Sequence, residues 1–287
     1  MQTQTQIRSL LAAAGLRPTK KRGQHFLVDG NLMRKLVASA AIQPDDVVLE
    51  VGAGTGSLTK ELASAAGAVI AVEIDAGLAD IAAAELADLT NVTLLRRDVL
   101  AAKSRIDPQV IDALVEARER HGGRVLLVAN LPYQVASPLI IDLLTGSPEF
   151  ARMCFTVQKE VGGRLLARPG GKDYGPLSVI VQALAEVHRI AAVPPQAFWP
   201  IPEVDSVMVR VDPSPERRGR IPGVAHFTGV VKTCFLHRRK TLAHNLTDAY
   251  GADVAERVMT AMGIEPRTRP ERLDVSAWVE LAHALVE

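Results

Sequence analysis

One stretch, Val47–Thr59, constrains the fold of this chain more than any other. It begins with an unbroken apolar run that carries a single acid, Glu50, and such a run is typical of a strand buried on both faces of a parallel sheet. The run is followed by three alternating glycines, Gly52, Gly54 and Gly56. The amphipathic residues from Ser57 to Ala65 then predict a helix. A glycine-rich turn between a strand and a helix lets the backbone approach a ligand and directs helix amides towards it.

Two other interpretations of this turn are open. A tight strand-to-helix turn without a ligand would use glycines in the same way. A dinucleotide site would require the pattern G-x-G-x-x-G, but its third glycine falls on Ser57 when counted from Gly52 and on Thr59 when counted from Gly54. This mismatch disfavours NAD. A glutamate that precedes an alternating glycine triplet instead resembles the first motif of methyltransferases that use S-adenosylmethionine (SAM).

Two further strands are predicted to end in acidic residues. The apolar run Ala68–Glu73 ends in Glu73, and Val92–Leu95 runs into Asp98. Open α/β sheets bind their ligands along the carboxyl ends of the strands, so both acids are expected at the edge that carries the glycine turn. Glu73 can accept hydrogen bonds from the two hydroxyls of a ribose. The alternative is an acid favoured by a helix macrodipole, with Asp75 as the N-cap.

A fourth strand, predicted over Arg124–Ala129, brings the tetrapeptide Asn130-Leu131-Pro132-Tyr133 to the same edge. The exocyclic amine of adenine is a poor nucleophile, and acceptors on Asn130 and on the Leu131 carbonyl could hold its two N–H groups in a reactive geometry. Pro132 stiffens the loop. Tyr133 offers a flat face for an extruded base. A proline turn with a half-buried tyrosine is the alternative.

Composition restricts the setting of the protein. The 287 residues are 48% hydrophobic and 23% charged, which is ordinary for a globular protein. No apolar run approaches ~20 residues and no secretory signal is visible, so neither a membrane span nor export is expected. Cys154 and Cys234 are far apart and have no metal-ligand spacing. We therefore expect buried thiols in the reducing cytoplasm and no bound metal.

The chain is predicted to contain two folded domains. Residues 1–22 form a basic extension that is partly helical at best, and residues 23–212 form the catalytic α/β domain, in which Leu177–Val193 supplies a sixth strand. A polar segment, 213–223, is predicted to be a linker, and residues 224–287 form a small helical domain. Two basic clusters fit contact with phosphates, although solvated helix faces would look similar: they comprise Lys20, Lys21 and Arg22, and Arg238, Arg239 and Lys240.

Assembled in order, these motifs resemble one family along essentially the whole chain, the ribosomal RNA adenine dimethyltransferases of KsgA type. The matching stretches are KKRGQHFL, EVGAGTGSLT, VEID, RRDVL, NLPYQVASPL, VQKEVGGRL, YGPLSVIVQ, VPPQAFWPIPEVDS and FLHRRKTLAHNL. NLPY together with an upstream GQHFL is highly specific. The chain departs from the family at His25, where many members have asparagine, and at Glu203, where a basic residue is common. The segments Ala243-His244 and 101–123 also differ.

The resemblance implies a Rossmann-like SAM-dependent methyltransferase sheet, mostly parallel with seven strands, joined to an all-α domain. It implies a cofactor site made of Gln24, His25, Leu27, Gly52, Gly54, Gly56, Glu73, Ile74, Asp98, Val99 and Asn130. It implies a target-adenine site made of Asn130, Leu131, Pro132, Tyr133 and Phe198. From the residues alone, Phe198 in the proline-rich loop could equally be a core residue or a base clamp.

The function implied by the resemblance is dimethylation of the N6 amines of two adjacent adenines in a hairpin loop near the 3′ end of 16S rRNA. SAM would be the methyl donor, S-adenosylhomocysteine the product, and a monomer acting on a pre-30S particle in the cytoplasm the expected setting. Two other functions are weighed against it. An rRNA-binding assembly factor with secondary catalysis would use the same basic clusters, and a DNA adenine methyltransferase would use a similar tetrapeptide without the RNA-type flanking motifs.

Overall fold

The computed structural model describes residues 1–18, 24–102, 105–133 and 135–286. Its strands are β1 (Phe26–Leu27), β2 (Val47–Val51), β3 (Ala68–Glu73), β4 (Val92–Arg96), β5 (Leu100–Ala102), β6 (Arg105–Ile106), β7 (Val125–Asn130), β8 (Phe150–Gln158), β9 (Ala185–Val193), β10 (Phe198–Trp199) and β11 (Ser206–Pro213). Its α-helices are α1 (Gln4–Ala13), α2 (Gly30–Ala40), α3 (Ser57–Ala63), α4 (Ala76–Glu85), α5 (Pro108–His121), α6 (Ala136–Thr145), α7 (Lys159–Leu165), α8 (Pro176–Leu184), α9 (Pro215–Gly219), α10 (Val224–Cys234), α11 (Leu242–Tyr250), α12 (Ala252–Ala261) and α13 (Val275–Ala284).

Seven strands form one sheet in the order β4-β3-β2-β7-β8-β11-β9. The pairings among β4, β3, β2, β7 and β8 are parallel, whereas β11 runs antiparallel to β8. All residues of β2 and β3 are buried, which explains why both strands appear in the sequence as continuous apolar runs. The predicted seven-stranded, mostly parallel α/β sheet is confirmed.

The strand order reverses between β2 and β7. The chain leaves β2 towards β3 and β4 on one side, and later returns to pair β7 against the other side of β2. In open α/β sheets, ligands bind beside the carboxyl ends of the strands at such a switch point. The glycine turn after β2 and the tetrapeptide that begins at the end of β7 are therefore brought to adjacent strand ends.

An ion pair holds the opposite ends of these two strands. Asp46 precedes β2, Arg124 precedes β7, and the Arg124 Nη2 atom lies 2.6 Å from Asp46 Oδ2 while its Nε lies 3.0 Å from Oδ1. Burial acts to raise the pKa of the Asp46 carboxyl, but the hydrogen bonds from Arg124 and the Gln43 amide outweigh it, so the pKa is lowered. This pair fixes the start of the two strands whose far ends form the site.

The N-terminal residues form a packed helix, although the sequence predicts only partial helicity there. Thr3 caps α1 in a reciprocal box with Gln6. Ile7 and Leu11 are buried in a cluster with Leu78 and Ile81 of α4. The described N-terminal residues therefore pack as part of the α/β unit.

The chain divides into two compact units, of which the first comprises 1–162 and 188–212 and the second comprises 163–187 and 213–287. Residues 163–187, which the sequence places in the catalytic domain, thus group with the C-terminal residues. The strand predicted within Leu177–Val193 is confirmed as β9. The first residues of that segment instead belong to α8, in which nearly every residue is buried, so the apolar residues do not mark one face of a helix. The segment 213–223, predicted to be a linker, contains the short helix α9.

None of the helices in the described ranges is long and apolar enough to cross a membrane.

Candidate active site

A cavity of about 300 Å³ lies in the first unit at the carboxyl ends of β2, β3 and β7. The predicted site residues that line it are Gln24, His25, Leu27, Gly52, Gly54, Glu73, Ile74, Asp98, Val99, Asn130, Leu131, Pro132 and Tyr133. Residues from five separate stretches of the chain thus meet around one space. The fold therefore assembles most of the predicted cofactor and target residues in a single cavity.

The glycine turn lets neighbouring groups approach the backbone closely. Gly52 has φ +83°, and a side chain there would meet the Pro132 ring at 3.3 Å. Gly54 has φ +59°, and a side chain there would meet the Phe26 ring at 3.1 Å. Both positions thus combine a left-handed backbone with close packing, which glycine alone accommodates without strain. Gly56 is the N-cap of α3, packs beside Leu86 and lies outside the cavity lining.

Glu73 links the turn to the end of β3. Its Oε2 accepts the Gly54 amide at 2.8 Å, and its Oε1 accepts the Asp75 amide at 2.9 Å. Burial raises the pKa of Glu73, and the two amide hydrogen bonds oppose this shift. Each carboxylate oxygen retains a further lone pair, so Glu73 can still accept two hydroxyls. Asp98 is exposed at the cavity and accepts the Leu100 amide at 2.9 Å.

Glu50, the single acid of the apolar strand β2, also lines the cavity, a role that its position in the sequence did not predict. It is 1% exposed, and burial raises its pKa to about 8. Its Oε2 atom has no hydrogen-bond partner in the part of the chain that the structure describes. A buried acid without a full set of partners is costly for folding and is a common sign of a functional position. An acid within an otherwise apolar strand was the available signal.

Asn130 presents an unpaired acceptor. Its Nδ2 donates to the His25 carbonyl at 2.9 Å, which fixes the orientation of the amide. Its Oδ1 is buried and has no partner among the described residues. Because an unpaired buried acceptor costs ~1–3 kcal/mol, a ligand that donates to it would recover that free energy.

Two aromatic rings stand beside this acceptor. The ring of His25 stacks on that of Tyr133, with centroids 5.9 Å apart and planes inclined by 28°. The His25 Nδ1–H donates to the Pro200 carbonyl at 2.7 Å, since a carbonyl oxygen can only accept. The Tyr133 hydroxyl lies 2.9 Å from the Ser206 hydroxyl, and burial raises its pKa. Both rings are thereby held in place at the edge of the cavity.

The remaining predicted residues lie elsewhere. Phe198 is 2% exposed, pairs with Leu27 between β10 and β1, and packs in the core outside the cavity lining. Lys20, Lys21 and Arg22 fall outside the described residues. Arg238, Arg239 and Lys240 are exposed in the second unit.

Several lining residues were not predicted. They are Ile7, Phe26, Met33, Glu50, Val51, Ala53, Thr55, Ser57, Leu58, Val72, Leu78, Arg97 and Val135. Most lie within or beside the motifs, but Ile7 comes from α1, which no local pattern connects to the site.

The donor set of the cavity restricts the class of protein. The glycine turn lacks the third glycine of a dinucleotide site. Among the described lining residues, the buried side-chain atoms without a partner are two acceptors, Glu50 Oε2 and Asn130 Oδ1, and one donor, Arg97 Nε. An acid at the end of β3 and an asparagine at the end of β7 suit a cofactor that carries ribose hydroxyls and a positive charge. This fold and site define a SAM-dependent methyltransferase of the Rossmann-like type.

Comparison with known proteins gives the family. The family model described as "Ribosomal RNA adenine dimethylase" matches residues 16–287. The chain is 38% identical to the "Ribosomal RNA small subunit methyltransferase A" of Geobacillus kaustophilus, over 99% of this chain and 96% of that protein. It is 40% identical to the protein of the same name from Streptomyces griseus, over 96% of this chain and 92% of that protein. The chain belongs to the ribosomal RNA adenine dimethylase family, and its cofactor is SAM.

Solved structures agree on the fold. A dimethyladenosine transferase from Plasmodium falciparum is similar with a TM-score of 0.72 and 24% identity, over 90% of this chain and 96% of that chain. The 23S rRNA methyltransferase ErmE is similar with a TM-score of 0.65 and 23% identity, over 91% of this chain and 100% of that chain. At these identities the likeness concerns the fold.

Proposed function

We propose that this enzyme dimethylates the N6 amines of two adjacent adenines in the 3′-terminal hairpin loop of 16S rRNA during maturation of the small subunit. One observation carries the proposal. The buried Asn130 Oδ1 is unpaired among the described residues, and it lies in the same cavity as the glycine turn, Glu73 and Asp98. A methyl donor and the amine that receives the methyl group can therefore meet in one cavity.

The cofactor would be held by residues at the ends of β2 and β3. Gly52 and Gly54 would allow its close approach, Glu73 would accept the ribose hydroxyls, and Asp98 would accept the adenine amine. His25 and Leu27 would cover its methionine end, with Gln24, Ile74 and Val99 completing the wall. When bound, SAM supplies an electrophilic methyl group whose departure leaves a neutral thioether.

The chain's own residues would act mainly by positioning. The Asn130 Oδ1 and the Leu131 carbonyl would each accept one N–H of the target amine, so that its lone pair is directed at the methyl group. Because the leaving thioether is neutral, no side chain has to supply a proton to it. The proton lost from the methylated amine passes to water or to Asn130. Pro132 keeps the acceptor loop rigid.

Tyr133 would hold the target base. A base within a stacked helix hides its amine, so a loop base or an extruded base is the suitable substrate. The Tyr133 ring, fixed by Ser206 and by the stacked His25 ring, offers a flat face for it. Stacking of one base on such a ring contributes ~1–3 kcal/mol. Phe198, which pairs with Leu27 of β1 and is buried in the core, would support this wall.

The two basic clusters would bind RNA through its phosphates. In the second unit, the Arg238 guanidinium donates to the Lys172 carbonyl, so the turn that carries Arg239 and Lys240 is tied to the exposed loop around Lys172. Exposed cations held on a fixed turn suit contact with phosphates. We propose that this cluster and Lys20, Lys21 and Arg22 contact rRNA in a pre-30S particle, with the enzyme acting as a cytoplasmic monomer.

Incubation of the protein with labelled SAM and small-subunit particles that lack the modification tests the proposal. We expect label on two adjacent adenines of the 3′-terminal hairpin, with dimethyladenine as the product. DNA of the same sequence serves as the matched control and should remain unlabelled. Label at other nucleotides, or equal labelling of the DNA, would overturn the proposed specificity.

A further inference from the structure

Gln2 connects the N-terminal residues to the glycine turn through its side chain. Only 6% of Gln2 is exposed. Its Oε1 accepts the Thr55 hydroxyl at 2.5 Å, and its Nε2 donates to the Thr55 carbonyl at 3.0 Å. The Gln2 backbone amide also donates to the Ser57 hydroxyl at 2.9 Å. One side-chain amide thus pairs with both the hydroxyl and the backbone of a single turn residue.

The residue that Gln2 holds lies within the cofactor turn itself. Thr55 stands between Gly54 and Gly56, is 1% exposed and lines the cavity. Its flanking glycines have φ +59° and +79°, so the local backbone has little intrinsic preference for one conformation. A turn of this kind needs an external contact to be fixed before a ligand binds, and Gln2 provides two at Thr55.

The orientation of the Gln2 amide is fixed from the other side. Its Nε2 also donates to Glu85 Oε2 at 3.1 Å, and Lys60 Nζ lies 2.7 Å from the same oxygen. The hydrogen bond from Lys60 holds the pKa of Glu85 below its usual value, so this acceptor remains charged at neutral pH. Flipping the amide would place its oxygen against the Glu85 carboxylate, and the pairing with Thr55 therefore has one stable arrangement.

We propose that Gln2 is a positioning residue for the cofactor, which acts by holding Thr55 and the glycine turn in their binding conformation. The inference rests on the proposed location of the cofactor site. It goes beyond the family motifs, because Gln2 lies outside all of them and contacts no part of the target site. Pre-ordering of the turn lowers the cost of binding SAM without altering the transfer of the methyl group.

The alternative is that Gln2 serves only to attach α1. In that case its removal would loosen the packing of Ile7 and Leu11 and lower the melting temperature, while the folded protein would bind SAM as before. Gln4 gives a matched control, because it is the same residue type near the start of α1 but exposed. Gln2→Ala and Gln4→Ala therefore differ in the contact to the turn.

The test is titration calorimetry of SAM and of S-adenosylhomocysteine with the full-length protein and both variants. We expect Gln2→Ala to weaken both ligands about tenfold, the size expected from one or two hydrogen bonds. The KM for SAM should rise by the same factor with kcat unchanged within about twofold. Gln4→Ala should match the wild type. Thr55→Val loses the hydroxyl but keeps the carbonyl that accepts Gln2 Nε2, so it should show part of the effect of Gln2→Ala. Thr55→Ser should bind SAM as the wild type does, and the double variant Q2A/T55V should be no weaker than Gln2→Ala.

Equal affinities of Gln2→Ala and Gln4→Ala for SAM would overturn the inference, and so would a fall in kcat with KM unchanged. These outcomes are separate from failure of the proposed function. If the wild type bound SAM but labelled other nucleotides, the proposed substrate would fail while the role of Gln2 stood. If the wild type did not bind SAM, the location of the site itself would be contradicted.

Discussion

The polar groups at the two ends of the cavity differ in how fully they are hydrogen-bonded. At the glycine turn, Glu73 and Gln2 accept or donate hydrogen bonds that fix the backbone around Gly54 and Thr55. At the loop after β7, Asn130 donates to His25 but leaves its Oδ1 unpaired within the described part of the chain. One end is ordered by hydrogen bonds within the chain, whereas the other retains an unpaired acceptor. This difference fits the proposal that the methyl donor would be held by the ordered turn, while the target amine would complete the hydrogen bonds of Asn130.

The largest expected effect comes from removing the free acceptor. Asn130→Ala should lower kcat by about 10³-fold, because the amine is then held by the Leu131 carbonyl alone. The Kd for SAM should change by less than about threefold, since the turn and Glu73 are untouched. Rapid-quench methylation and calorimetry measure the two quantities. Asn31→Ala, at an exposed asparagine of α2, is the control. Methylation near the wild-type rate would remove Asn130 from the mechanism.

Glu50 also lines the cavity, but unlike Glu73 it has an oxygen without a partner among the described residues. Its substitution is expected to change the pH dependence of the free energy of unfolding. Its folded pKa of about 8 lies above its usual value of 4.5, so its contribution to the free energy of unfolding is fully present below pH 4.5 and is lost as pH rises through 8. Between pH 5 and pH 9 the loss is roughly 2–4 kcal/mol. Glu50→Gln should flatten this pH dependence. Urea denaturation at several pH values measures the free energy of unfolding. If its change with pH were the same in Glu50→Gln as in the wild type, the raised pKa of Glu50 would be contradicted.

Glu73→Gln tests the ordered end directly. The variant loses the charge that would receive the ribose hydroxyls, and its amide nitrogen cannot accept one of the two backbone N–H groups. We expect the Kd for SAM to rise about 10–100-fold, because hydrogen bonds to charged groups contribute ~1.5–3 kcal/mol. Single-turnover kcat at saturating SAM should remain within about threefold. A fall in kcat larger than the change in Kd would show that the two ends are not separable.

The smallest expected effects concern Tyr133. Tyr133→Ala should lower kcat/KM for RNA about tenfold through loss of base stacking. Tyr133→Phe keeps the ring and loses only the contact with Ser206, so kcat/KM should change by less than about threefold. Equal effects of the two substitutions would assign the role to the hydroxyl and not to the ring. Filter binding and methylation of the same particles supply both values.

The sequence was sufficient wherever one local pattern determined the outcome. The continuous apolar runs predicted β2, β3 and β7, and the polar residues that follow them, Glu73 and Asn130, meet in one cavity because parallel strands place their carboxyl ends at one edge. The alternating glycines predicted the turn after β2, because glycine alone adopts a left-handed backbone without strain. These features depend on a few neighbouring residues and on a general rule of sheet geometry.

What the sequence missed depends on contacts between distant residues. Gln2 and Thr55 are 53 positions apart, and neither side chain forms a pattern on its own. In Leu177–Leu184 every face of α8 is buried or nearly so, so the apolar run predicts a strand as readily as a helix. The position of Phe198 in the core follows from pairing between β1 and β10, which are two-residue strands without a recognisable period.

Binding of a bisubstrate analogue, in which the N6 atom of adenosine is joined through a short linker to the sulfur position of S-adenosylhomocysteine, examines the shared cavity most directly. We predict that the analogue binds the wild type at least tenfold more tightly than S-adenosylhomocysteine does. Asn130→Ala should abolish that advantage and leave the affinity for S-adenosylhomocysteine unchanged, whereas Glu73→Gln should weaken both ligands. An analogue that binds no more tightly than S-adenosylhomocysteine, or whose advantage persists in Asn130→Ala, would show that the methyl donor and the target amine do not meet at this edge of the sheet.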